Sequence, residues 1–155
     1  MRFTKNKLSS SLTLLAIVFN ALYFVSIYKS DVGSYYYKLL IGISIIYNLL
    51  FMLAAFLSSE GVKSYKMGYA YLLIALGIGQ IVRIFIIPMN AKSDTVSISG
   101  VETAAMEMNK FWWVTGCLVA SAALLVLAGV IAIAKTATLK SYQAELERRT
   151  RGNKS

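Results

Sequence analysis

The chain has 155 residues, 57 % of them apolar and 15 % charged, with sixteen Lys and Arg, seven acids, one cysteine and no histidine. Globular domains run at ~45–50 % apolar and ~25 % charged, so the balance is that of a membrane protein rather than a soluble one. The missing histidines and the single cysteine exclude His-held haem or zinc, a Ser–His–Asp triad, a cysteine-ligated Fe–S cluster and any intrachain disulfide.

Taken in chain order, the first eleven residues carry Arg2, Lys5 and Lys7 and then a run of serines. An apolar block follows at about 12–28. It is longer than the ~7–15-residue core of a signal peptide and no small-x-small cleavage site follows it, so it reads as an uncleaved first span. The loop after it holds Asp31, Gly33 and the triplet Tyr35, Tyr36 and Tyr37. Tyrosines at the edge of an apolar block suit the headgroup layer, with the ring half-buried and the hydroxyl wet. The second span is expected at about 39–57, followed by a short loop with Glu60, Lys63 and Lys66. The third is expected at about 67–87, stopped by Pro88, the sole proline. The longest loop comes next, and its second half, from Val101 to Trp113, has apolar residues at helical spacing. A short interfacial helix is expected there, anchored by Trp112 and Trp113. The fourth span is placed at about 113–134, and residues 136–155 form a basic tail that continues as a helix before fraying at Gly152.

Each block is long enough to cross a hydrocarbon core of ~30 Å at 1.5 Å per residue. The expected fold is therefore all-α, a single-domain integral membrane four-helix bundle over residues 1–155. Eleven of the sixteen Lys and Arg fall in the N-terminal segment, the second loop and the tail, against four in the other two loops. The positive-inside rule then puts both termini in the cytoplasm. This asymmetry accounts for the net charge of +9 without nucleic acid. The tail residues Lys140, Arg148, Arg149, Arg151 and Lys154 are also suited to contact anionic lipid. The lysine-, isoleucine- and tyrosine-rich composition has the style of a bacterial cytoplasmic membrane protein.

The polar residues inside the spans are the candidates for function. Arg83 stands out, because a charge within a spanning helix costs ~2.5–3.5 kcal/mol on insertion scales and no Asp or Glu lies in any span to pair with it. Three readings follow: a side chain snorkelling to the outer headgroups, a contact to a partner chain, or a solute or anion site. Asn20 and Asn48 fall near the midpoints of their helices and are expected to hydrogen-bond to each other. Gln80, Tyr47 and Ser121 map to the outer half with Arg83, as do Tyr23, Ser26, Ser44, Thr115 and Cys117. These residues are expected to act as packing contacts or to line a small outward-facing cavity. Small residues recur every four positions at Ala75–Gly79, Gly116–Ala120 and Ala128–Ala132, a spacing that lets helix backbones approach closely.

No embedded carboxylate is present for proton coupling, as short multidrug exporters and rotary proton rings require, and no cysteine pair for quinone-linked disulfide chemistry. The loop acids Glu102 and Glu107 are five residues apart and so lie on different faces of a helix. The expectation is a non-enzymatic protein without cofactor or metal, working as an accessory or structural subunit of a larger membrane complex or as a homo-oligomeric scaffold. Its partners would be the lipid bilayer, other membrane subunits or itself. The alternative is a small transporter or channel with its polar cavity around Arg83.

Overall fold

The computed structural model describes residues 5–28, 35–86, 88 and 107–152, and the side chains of all of these except 28 and 35–41. Within them the chain forms four helices: α1 (Lys7–Tyr28), α2 (Tyr35–Lys63), α3 (Met67–Ile86) and α4 (Met108–Gly152). Each is long and apolar enough to cross a membrane. α4 packs along both α1 and α3, α1 also packs along α2, and α2 packs along α3 less closely than these pairs do.

Three of the helices, α1, α2 and α4, extend beyond the apolar blocks. α1 starts at Lys7 because Asn6 caps it: the Asn6 side-chain oxygen accepts from the Ser9 amide at 3.4 Å, one of the orphan donors of a helix start. The serines that read as a polar lead-in are helical and buried. Ser9 Oγ donates to the Ala128 carbonyl at 2.6 Å, and Ser10 and Ser59 share a hydroxyl contact at 2.7 Å. Ser58 and Ser59, expected in a loop, belong to α2, which continues to Lys63. The α2–α3 connection is thereby reduced to Ser64, Tyr65 and Lys66. Here Lys66 N donates to Gly61 O and Tyr65 N to Val62 O, both at 3.1 Å. This is a Schellman closure, and Tyr65 takes the left-handed position usually given to glycine, with φ 59°.

The expected separate interfacial helix is corrected in its second half. Residues from Met108 through Trp113 belong to α4 itself, because nothing between them and the apolar block breaks a helix. The first half, 101–106, lies outside the described residues. Asn6 N donates to the Lys63 carbonyl at 3.2 Å, and Lys135 Nζ donates to Asn6 Oδ1 at 3.2 Å. The start of α1, the end of α2 and the Lys135 turn of α4 therefore meet at one end of the bundle, which is the basic end.

The side-chain distribution is inverted relative to a soluble bundle. On α1 the buried face is Ser9, Thr13, Ala16, Asn20 and Tyr23, whereas Leu14, Leu15, Val18, Leu22 and Val25 are exposed. In water this arrangement would forfeit the apolar burial that drives folding; in lipid the leucines meet hydrocarbon and the polar groups find each other. Close packing is supplied by glycines between α3 and α4. A Cβ at Gly77 would lie 2.8 Å from Val126 Cγ2, and one at Gly129 would lie 2.9 Å from the Ala70 carbonyl. Ala128 and Ala132 are buried too. This small-residue spacing thus serves packing within the chain. Gly116, by contrast, has open space around it.

Candidate functional site

Two apolar clusters fill the bundle. One gathers Ala16, Phe51, Ala55, Leu73 and Leu125 toward the basic end, and the other gathers Tyr23, Ile27, Val114, Cys117 and Leu118 toward the opposite end. Between them, by register on α1 and α4, lies a polar layer. Asn20, Asn48, Gln80, Ser121, Ser44 and Arg83 are all buried.

The layer is one continuous hydrogen-bond network that touches all four helices. Ser121 Oγ on α4 donates to the Ala16 carbonyl on α1 at 3.0 Å. Gln80 Nε2 on α3 donates to Ser121 Oγ at 3.3 Å and to Asn20 Oδ1 at 2.9 Å. Asn20 Nδ2 donates to Asn48 Oδ1 on α2 at 3.2 Å, the pairing expected from their matched depths. Asn48 Nδ2 turns back on its own helix, donating to the Ser44 carbonyl at 2.9 Å.

Arg83 is the hub. Nη1 donates to Asn48 Oδ1 at 2.8 Å and to Asn20 Oδ1 at 3.2 Å, and Nη2 donates to Ser44 Oγ at 2.9 Å. Its Cζ lies 4.3 Å from the centroid of the Tyr23 ring and 5.0 Å from that of Tyr47, close enough for attraction to both π faces. Snorkelling is therefore not what Arg83 does: the side chain is only 4 % exposed and points into the bundle. The reason is chemical. Three amide or hydroxyl oxygens and two aromatic rings converge on it there.

All partners of Arg83 in the network are neutral. The guanidinium has five N–H donors and a fixed positive charge. Among the described residues of the spans there is no carboxylate, and the ion pairs, Lys63–Glu60 and Arg149–Glu145, lie outside the polar layer. Of the acids in the first and third loops, Asp31, Asp94 and Glu102 lie outside the described residues, and Glu107 is exposed just before α4. Gln80 Oε1 is buried without a hydrogen-bond partner.

One side of the layer is open. A cleft of about 320 Å³ runs between α2 and α3. Ser44, Tyr47 and Arg83 form its polar part, and Ile43, Val82 and Ile86 its apolar walls. Gly79 lies at its inner end, where an added Cβ would sit 3.2 Å from the Tyr47 hydroxyl. The cavity foreseen around these residues thus opens sideways between two helices. Thr115 and Cys117 do not line it; Cys117 is a buried free thiol in the apolar cluster above.

Of the expected anchors, Trp112 and Trp113 are exposed, and Trp113 Nε1 donates to Ser26 Oγ at 3.1 Å. Tyr35, Tyr36 and Tyr37 open α2, but their side chains lie outside the described residues. Among the described residues no group of three or more His, Cys, Asp or Glu is placed to hold a metal ion.

A second feature is the length of α4, whose continuation through the tail to Gly152 matches the helix expected there. Thr136 is its last buried residue, and the helix then runs on through Gly152 with its side chains exposed or half-buried. Leu139, Tyr142 and Leu146 follow one another along one stripe, the latter two 42 % and 47 % exposed, with Lys140, Glu145, Arg148 and Arg149 alongside. The spacing of three and four residues is the sequence signal for such a stripe. No family model matches the chain, and no curated protein or solved structure matches it either.

Proposed function

We propose that this chain is a non-catalytic accessory subunit of a larger membrane assembly, inserted with its basic end in the cytoplasm, and that it docks through the helical arm beyond Thr136. The single observation behind this reading is the arm itself. Sixteen residues of helix leave the bundle with no cover from the other three helices, just above the ~12–15-residue length below which an isolated helix is marginal in water. An ion pair within it, Arg149–Glu145 at 2.6 Å, is exposed and i,i+4, of a type worth ~0.3–0.5 kcal/mol, and the Thr138, Ser141 and Thr150 hydroxyls bond carbonyls of the same helix. An apolar stripe flanked by charges of both signs suits a partner helix.

Anionic lipid fits the arm less well. α4 is one uninterrupted helix, so its arm leads away from the membrane surface instead of lying along it. At 1.5 Å per residue, Arg148 to Arg151 stand ~18–22 Å beyond Thr136, past the ~8 Å Debye length at physiological salt. Only Lys135 and Lys140 sit near headgroup level. The transport alternative draws on the cleft at Arg83 alone, and the layer behind that cleft is closed by hydrogen-bonded side chains.

The test is native mass spectrometry of the protein purified from its own membrane, beside a Leu139→Ser/Tyr142→Ser/Leu146→Ser variant. The expected result is a stoichiometric second polypeptide that the triple variant loses while still inserting. A homo-oligomer would replace the accessory role with the scaffold role. A monomer, or a complex that the triple variant leaves intact, would overturn docking through the arm.

A further inference from the structure

The cleft between α2 and α3 has the shape and chemistry of a ligand seat independent of the arm. We infer that it binds a single-chain acidic amphiphile, a long-chain carboxylate of the fatty-acid class, with the carboxylate on Arg83 and the chain against Ile43, Val82 and Ile86.

Charge is the first argument. Arg83 is a permanent cation, 4 % exposed, whose hydrogen bonds go to Asn20, Asn48 and Ser44, all neutral. A buried charge without a counter-ion is expensive, and the described residues of the spans contain no acid to supply one. Three of the five guanidinium N–H groups are accounted for by those bonds, and Arg83 also lines the cleft. A carboxylate arriving through the cleft reaches Arg83 where it borders the cleft beside Ser44 and Tyr47, and pairs with the guanidinium's remaining N–H capacity.

Shape selects the rest of the ligand. The volume, about 320 Å³, is at the small end of ligand pockets (~300–1,000 Å³) and leaves room for one chain rather than a glycerol backbone with two. The walls are aliphatic, and Ile43 and Val82 open onto the lipid-facing surface, so a chain reaches the seat from within the bilayer.

A transmembrane helix bearing an acid is the competing occupant, and the surface disfavours it. Helices approach closely in lipid where small residues line the contact. The flanks here are Ile43, Ile46, Val82 and Phe85, each more than half exposed, and the one glycine, Gly79, sits inside the cleft against Tyr47. Gly77 and Gly129 are used between α3 and α4.

The experiment is native mass spectrometry of the full chain in mild detergent, titrated with oleate and, separately, with oleyl alcohol at equal concentration. Oleate should bind one per chain and at least tenfold more tightly than the alcohol. Val82→Trp, which fills the mouth and leaves every bond of Arg83 in place, should reduce oleate occupancy at least tenfold, and so should Arg83→Gln. Circular dichroism of both variants checks folding, and Val82→Trp decides the matter if Arg83→Gln does not fold. Equal binding of acid and alcohol, or oleate occupancy unchanged in Val82→Trp, would overturn the inference. So would a retained acidic phospholipid or polypeptide that oleate cannot displace and Val82→Trp removes, because another occupant would then own the seat.

Discussion

Replacing Asn20 by Ala tests whether the polar layer holds the helices together as one network. Asn20 takes part in three side-chain hydrogen bonds: from Gln80 at 2.9 Å, from Arg83 at 3.2 Å and to Asn48 at 3.2 Å. The two neutral bonds are worth ~0.6 kcal/mol each on the scale measured inside membranes. The third has a charged donor and is worth ~1.5–3 kcal/mol. The loss for Asn20→Ala is therefore about 3 kcal/mol. In an Arg83→Met background only the neutral bonds remain to be lost, so the same change should cost about 1 kcal/mol and the coupling between the two sites should be about 2 kcal/mol. Reversible unfolding in mixed micelles titrated with sodium dodecyl sulfate, followed by circular dichroism, measures all four corners of this cycle. A coupling below ~0.5 kcal/mol, the usual error of additivity for independent sites, would refute the network account.

Three further outcomes can be read in the same unfolding assay. Gly77→Val drives a side chain into Val126 and the Ala122 carbonyl and should cost about 2 kcal/mol, whereas Gly116→Ala meets open space and should be neutral or slightly stabilising. Tyr65→Gly should stabilise the chain by about 1 kcal/mol, because only glycine takes the left-handed position at φ 59° without a steric cost. A loss instead would show that the Tyr65 side chain contributes more than its backbone costs. Asn6→Ala should cost about 1 kcal/mol through the lost helix cap and should speed amide exchange at Ser9, since Asn6 Oδ1 serves both that amide and Lys135. Unchanged exchange there would show that the cap is dispensable.

The apolar blocks made the four helices legible because length against bilayer thickness is a strong signal. The ends were not legible: hydropathy reads Ser9, Ser10, Ser58 and Ser59 as water-facing, and it cannot see that Ser10 and Ser59 pair across α1 and α2, that Ser9 bonds the Ala128 carbonyl of α4, or that Ser58 bonds the Ala54 carbonyl of its own helix. The match of Asn20 with Asn48 could be read from depth alone. The inward turn of Arg83 could not, since it depends on oxygens from two other helices converging at one height. The small-residue pairs were visible as pairs, but which faced inside required the register that sets Gly77 against Ala122 and leaves Gly116 in the open. One clue was available along α1. Ser9, Thr13, Ala16, Asn20 and Tyr23 recur at steps of three and four, marking the inward face by its polarity.

The inverted side-chain distribution has a consequence for how this protein changes over generations. Leu14, Leu22, Leu50, Leu53 and Ile78 are exposed on the bundle's surface, and in a hydrocarbon surrounding leucine, isoleucine, valine and phenylalanine are nearly interchangeable there, so those positions are free to drift. Asn20, Asn48, Gln80, Arg83 and Gly77 are each held by specific neighbours on other helices and are not. Lineages carrying this bundle would diverge across most of their length while keeping a sparse set of inward residues, so kinship would be better judged by that set than by overall identity.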